Sequence, residues 1–165
     1  MSNQPIRIGA KLPDATLRVM TPEGPAAKTT AEFFAGRKVA LFAVPGAFTP
    51  TCNNEHLPSF VEHAAEIKAK GVAEIACVAV NDPFVMGAWA QASGAGDAIT
   101  FLSDGNAEFT NAIGMAFDGS GFGLGTRSLR YAMIVNDGTV TAMRVEESPG
   151  TCDVTSGGKL LADLA

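Results

Sequence analysis

Two short apolar runs constrain this chain most: residues 38–44 (KVALFAV) and 73–80 (AEIACVAV). Neither shows the polar alternation of a half-solvated strand. Each stops at a turn, Pro45-Gly46 after the first and Asn81-Asp82-Pro83 after the second. Such runs read as buried strands. Between them Leu57, Phe60, Val61, Ala64, Ala65 and Ile67 recur at helical spacing, and Gly71 ends the segment. A helix running from Pro50 to Ala69 would carry Pro58 near its first turns, so a kink is expected there.

The same alternation continues. Residues 84–92 read as a helix capped by Asp82 or Asn81. Residues 99–102 form a short strand and 107–113 a short helix ending at Gly114. Residues 114–125 hold five glycines and read as a flexible surface loop. Runs 130–135 and 139–145 flank Asn136-Asp137-Gly138, a strong hairpin signal. Residues 156–164 close the chain as a helix. This succession predicts an α/β fold, a central mixed sheet with parallel strands in the middle, an antiparallel end and flanking helices. No linker composition divides the 165 residues, so one domain spanning 1–165 is expected, with a core large enough to need no staples.

Composition excludes several functions. A formal charge of −5 argues against nucleic acid or an anionic membrane as the main partner. No stretch reaches the roughly 20 apolar residues of a membrane span. The N-terminal residues lack the apolar run of a signal peptide, so a cytoplasmic protein is expected. Three cysteines make no disulfide scaffold, and an odd number leaves at least one thiol unpaired.

Cys52 stands out among the three. It follows a buried strand and a loop rich in Pro and Gly, and it opens a helix, where unpaired N–H groups and the helix dipole favour an ionised sulfur. The alternative is a buried small hydrophobe, the usual fate of a free cysteine. Three residues before it stands Thr49, not the second cysteine of a Cys-x-x-Cys, which counts against a thioredoxin-like disulfide carrier. The Thr49 hydroxyl is placed to donate to sulfur, to accept from a substrate O–H, or to cap the helix.

The stretch Pro45-Gly-Ala-Phe-Thr49-Pro-Thr-Cys52 resembles the active-site signature of the peroxiredoxins, Pro-x-x-x-Thr/Ser-x-x-Cys. His56-Leu-Pro-Ser-Phe60, Val80-Asn-Asp-Pro-Phe-Val-Met86 and Arg127-Ser-Leu-Arg-Tyr-Ala-Met133 narrow the resemblance to the type II (peroxiredoxin V) subfamily, in the expected order. The resemblance implies a thioredoxin-like fold and reduction of hydrogen peroxide and small organic hydroperoxides through a sulfenic acid on Cys52. It assigns stabilisation of the leaving oxygen to Thr49, Arg130 and the Cys52 backbone N–H, and shielding of the sulfur to Pro45. The resemblance points to Arg130, which immediately precedes an apolar strand as the family's active-site arginine does; Arg127 is then a peripheral charge. Glu55, one turn on from Cys52, either orients Arg130 or simply favours the helix start. His56 matches a family position, but its role does not follow from the sequence, and with His63 and the cysteines it shows no metal-ligand spacing. No cofactor or metal is implied. A homodimer is.

Regeneration of the sulfenic acid stays open. Cys77 matches a second cysteine of plant-type members but lies in an apolar strand. Cys152 resembles the resolving region of animal-type members and lies in a polar loop that can move. The third route is an external thiol: glutathione with glutaredoxin, or thioredoxin. Within the glycine-rich stretch, Phe117, Phe122 and Leu124 are candidates for a peroxide entrance or a dimer contact. Residues 114–125 fail both nucleotide-loop fingerprints. Met86 and Trp89 read as core. A non-enzymatic redox sensor on the same fold is the competing reading, but it does not need Thr49 and Arg130 together.

Overall fold

The computed structural model describes residues 4–164. In chain order the elements are β1 (Thr16–Thr21), β2 (Gly24–Thr29), α1 (Thr30–Phe34), β3 (Lys38–Ala43), α2 (Leu57–Glu62), α3 (Ala64–Ala69), β4 (Glu74–Ala79) and α4 (Pro83–Ser93). They continue with β5 (Thr100–Ser103), α5 (Glu108–Ala112), β6 (Ala116–Asp118), β7 (Thr126–Ser128), β8 (Tyr131–Asn136), β9 (Thr139–Val145) and α6 (Gly157–Ala162). Seven strands form one mixed sheet in the order β2-β1-β5-β4-β3-β8-β9. β3, β4 and β5 run parallel, and β8 joins β3 antiparallel.

The apolar runs become β3 and β4 because both of their faces are covered. On one face Ala40, Phe42, Ile75 and Cys77 pack with Leu57, Phe60, Trp89 and Leu160. On the other, Val39, Leu41, Ala76 and Val78 pack with Phe34, Phe109 and Ile113. The mixed sheet with flanking helices that the residue pattern predicts is therefore the fold, and it is the thioredoxin-like arrangement that the resemblance implies. The Asp137-Gly138 hairpin forms as expected. Both residues take positive φ, 49° and 80°, the primed geometry that suits the twist of β8 and β9.

Three expectations are corrected. The helix expected from Pro50 to Ala69 is three pieces. Cys52–His56 form a π turn closed by the Leu57 N–H donating to the Cys52 carbonyl. Pro58, having no N–H, cannot continue an α-helical bond to Asn54, so the distortion falls just before it. The helix bends again at His63, between α2 and α3. Second, residues 114–125 are not a flexible loop: β6 and β7 pair antiparallel around a 3₁₀ turn at Ser120–Phe122, closed by Gly119 N–H to the Gly125 carbonyl at 2.6 Å. Third, β1, β2 and α1 precede the first element the sequence pattern reveals. β2 (GPAAKT) is poor in strand formers and sits at the sheet edge, so its conformation comes from pairing with β1.

Candidate active site

The loop leaving β3 delivers Cys52 to the start of the π turn with its residue wholly buried. Val44 N–H donates to the Val78 carbonyl, and Ala47 N–H to Asn81 Oδ1 at 2.9 Å, so the loop is tied to β4 and to the turn after it. At the opposite side of the sulfur, Arg130 ends the segment before β8 and is 1% exposed.

Arg130 makes four hydrogen bonds. Its Nη2 donates to Cys52 Sγ at 3.0 Å and to the Pro149 carbonyl at 2.9 Å. Its Nε donates to the same carbonyl at 3.1 Å, and its Nη1 to His56 Nδ1 at 3.0 Å. Among the described residues no carboxylate forms an ion pair with it. A buried guanidinium needs compensation for lost water, and here two carbonyl bonds, an imidazole and a sulfur supply it.

That geometry gives His56 a definite state. A guanidinium cannot accept a hydrogen bond, so His56 Nδ1 is the acceptor and the ring is neutral with its proton on Nε2. Nε2–H then donates to the Thr155 carbonyl at 2.9 Å. Burial and, after it, the Arg130 charge lower the His56 pKa to about 3, against the opposing pull of the Thr155 bond and Glu146. His56 is wholly buried against Phe42 (ring centroids 4.9 Å apart), which itself stacks on Phe60 at 4.0 Å. Glu55, by contrast, is exposed; of the two readings open to it, a bond to Arg130 is not made, and the next residue, His56, makes that contact instead.

Thr49 donates its hydroxyl proton to the Gly46 carbonyl at 2.7 Å. The hydroxyl proton is thus occupied and the oxygen's lone pairs remain for a substrate O–H. It does not cap the helix; the residue at the cap is Thr51, whose side chain makes no capping bond. Pro45 is buried and its carbonyl accepts from Arg127 Nη1 at 3.2 Å. Arg127 also donates from Nε to the Leu124 carbonyl at 2.9 Å, so it fastens the β6–β7 hairpin to the Cys52 loop. It is no peripheral charge. Gly46 suits this packing, since a Cβ there would stand 2.8 Å from Arg127 Nη1 and 3.1 Å from the Thr49 methyl.

A cavity of about 370 Å³ opens over this group, lined by Thr49, Arg130, Pro149, Phe117, Phe122 and Leu124 among others. The hairpin and the 146–155 loop form its walls. That loop is held by Glu146, 7% exposed, whose carboxylate accepts from Thr151 Oγ1, Thr155 Oγ1 and the N–H groups of Asp153, Val154 and Thr155. Burial alone would raise the Glu146 pKa, but these donors overcome it and hold it at about 2, against an ordinary 4.5. A pKa lowered on folding stabilises the fold above the unfolded value, and that contribution fades as pH falls from 4.5 towards 2. The stability gap between the parent and Glu146→Gln, measured by urea unfolding, will therefore shrink across that window by on the order of 3 kcal/mol. A gap independent of pH contradicts this.

The other two thiols differ. Cys77 lies in β4 opposite Phe42, wholly buried, and burial pushes its pKa well up. Cys152 is half-buried, with Sγ 4.0 Å from Thr155 Oγ1; burial pushes it up too, opposed by the Thr155 bond. All three cysteines are free thiols. Trp89 is wholly buried, with Nε1–H donating to Asn53 Oδ1 of the π turn at 2.9 Å. Among the described residues no group of three or more His, Cys, Asp or Glu could hold a metal ion, and no helix is long and apolar enough to cross a membrane.

His56, Glu146 and Asn53 are the residues that the sequence did not place in the site. His56 carried a signal, being four residues after Cys52 on one helical face. Glu146 carried none: it stands in a polar, Pro/Gly-containing loop.

Comparison with known proteins adds to this geometry. The redoxin family model matches residues 7–161. The chain is 52% identical to the chloroplastic peroxiredoxin-2E-2 of Oryza sativa subsp. japonica, over 96% of this chain and 72% of that one. It is 43% identical to peroxiredoxin-2B of Arabidopsis thaliana, over 97% and 99% of the two chains. Among solved structures, reduced Prx3 of Vibrio vulnificus in complex with hydrogen peroxide is similar at a TM-score of 0.92 and 50% identity, covering 97% of this chain and 99% of that one.

Proposed function

The chain belongs to the type II peroxiredoxins of the redoxin family, which are thiol peroxidases, and on that premise we propose that Cys52 is its peroxidatic sulfur. The observation that carries the reading is the 3.0 Å contact to the buried Cys52 Sγ from the guanidinium of Arg130, which with Thr49 lines the cavity.

The ionised Cys52 sulfur attacks one peroxide oxygen. The S–O bond forms as the O–O bond breaks, and the departing oxygen leaves as alkoxide or hydroxide and takes a proton to become alcohol or water. Cys52 is left as sulfenic acid. Negative charge moves from sulfur to the departing oxygen during this step, and the Arg130 guanidinium and the Cys52 N–H are fixed donors able to follow it. Thr49 accepts from the peroxide O–H and so aligns the O–O bond with sulfur. Pro45 and Pro149 present apolar surface that limits water at the site.

The sulfenic acid is then reduced by an external thiol, glutathione with glutaredoxin, or thioredoxin. A first thiol forms a mixed disulfide with Cys52 and releases water; a second releases the Cys52 thiol and an external disulfide. The open cavity favours this route. Cys77 would have to leave a strand paired on both sides, and Cys152 a loop held by five hydrogen bonds to Glu146. We place the protein in a reducing compartment such as the cytoplasm, and as a homodimer in which the exposed Phe48 and Phe122 near the mouth (50% and 84%) meet a second copy.

Thr49 provides a sharp secondary test. Thr49→Val keeps the volume and removes the acceptor, and the rate with hydrogen peroxide will fall about 100-fold, while Thr49→Ser stays within a few-fold of the parent. Equal rates in the valine variant contradict its role. The main test is a brief peroxide pulse followed by a dimedone-type sulfenic acid probe and peptide mass spectrometry. The adduct is expected on Cys52. An unmodified Cys52 beside a labelled Cys77 or Cys152 overturns the reading.

A further inference from the structure

Three main-chain carbonyls of the 146–155 loop hold the reacting group. Pro149 accepts twice from Arg130, Thr155 accepts from His56, and Gly150 accepts from Thr51 Oγ1 at 2.9 Å. A loop with a Pro-Gly step and no regular structure does not fix three carbonyls by itself. What fixes this one is Glu146. Its Oε1 takes Thr151 Oγ1 at 3.1 Å and Asp153 N–H at 3.0 Å. Its Oε2 takes Val154 N–H and Thr155 N–H at 2.8 Å and Thr155 Oγ1 at 2.7 Å. Its own N–H donates to the Arg130 carbonyl at 3.0 Å, which ties the two residues across the strand end.

We propose that Glu146 is a positioning residue for peroxide reduction, acting on Cys52 through Arg130 and His56 by holding the carbonyls of Pro149 and Thr155 in place. The proposal rests on the reading of Cys52 and Arg130 given above. The chain of contacts is continuous: Cys52 Sγ, Arg130 guanidinium, His56 imidazole, Thr155 peptide, Glu146 carboxylate. Each contact in it has a defined donor and acceptor. The carboxylate is the only part that accepts from five donors, so it is where the chain is most easily broken. A glutamine cannot replace it. Its amide keeps one acceptor oxygen and turns an NH₂ toward donors that are already in place, leaving at least two of them unpaired. With the loop loosened, the Pro149 carbonyl no longer aligns the guanidinium edge, and Nη2 loses its fixed aim at sulfur.

The test is a double-mutant cycle read by stopped-flow oxidation of Cys52 with hydrogen peroxide. Glu146→Gln is expected to slow the reaction by about 10- to 100-fold, the range found when a partner that orients a reacting group is removed. In an Arg130→Lys background the same change is expected to cost less than about twofold, because the group it positions is already gone. Thr155→Val, which keeps shape and removes one donor, is expected to cost roughly threefold to tenfold in the parent and again little in the Lys background. It carries the test if Glu146→Gln does not fold. Two results overturn the proposal: parent-like rates in the folded variants, or the same loss in both backgrounds, which would mark a purely structural part. If instead the unmutated protein fails to react at Cys52, the underlying reading fails and not this one.

Discussion

Cys52→Ser will reduce peroxide turnover to the uncatalysed background while leaving the fold intact. The loss is on the order of 10⁶-fold by comparison with removal of other enzyme nucleophiles. A neutral serine hydroxyl is a poor nucleophile toward a peroxide oxygen, and among the described residues His56 is not free to act as the base that would activate it: its Nδ1 already accepts from Arg130 and its Nε2 proton is given to Thr155. The serine Oγ can still accept from Arg130, so the buried cation keeps its partner and unfolding does not explain the loss. Peroxide consumption with glutathione and glutaredoxin, or with thioredoxin, is the measurement. Turnover within tenfold of the parent would remove Cys52 from the mechanism. A sensor without turnover would differ at the parent itself, which would oxidise once and stop.

Arg130→Lys will slow Cys52 oxidation by about 10²- to 10³-fold, the loss seen when a fixed donor to a developing negative charge is removed. The charge survives, so the effect isolates geometry. The guanidinium spans three partners from a planar fork, with Nη2 shared between sulfur and Pro149, Nε on Pro149 and Nη1 on His56. A lysine ammonium is a single point with three donors on a flexible stem. It cannot reach sulfur and also satisfy His56 Nδ1 in its buried slot, so one acceptor is left without a partner, and the fold also loses roughly 1–3 kcal/mol. Stopped-flow rates together with thermal unfolding separate the two effects. A lysine variant that oxidises as fast as the parent contradicts the assignment of Arg130, and a slowing confined to Arg127→Lys would transfer the role to Arg127.

How much of this was legible in the sequence follows from what each feature depends on. β3, β4 and the β8–β9 hairpin depend on local pattern: apolar runs buried on both faces, and an Asp137-Gly138 step able to take positive φ twice. The sulfur and its loop were legible because Pro45, Thr49 and Cys52 lie within eight residues. What depends on distant residues was not. β2 is a strand only because β1 pairs with it. Arg127 looked peripheral because its partner, the Pro45 carbonyl, lies 82 residues away in the chain. Glu55 and His56 both follow Cys52 by about one turn, and a regular helix offers no means to choose between them. The π turn makes the choice, turning His56 inward toward Arg130 and leaving Glu55 in solvent.

The central claim is that Cys52, set against Arg130, performs the chemistry without help from the other thiols. A protein in which Cys52 is the sole cysteine, Cys77→Ser with Cys152→Ser, tests it most directly. Rapid mixing with hydrogen peroxide will give the first oxidation at the parent rate, with one peroxide reduced per chain, and steady turnover will persist with an external thiol. A first oxidation more than about tenfold slower in the folded variant, or none at all, would contradict the account.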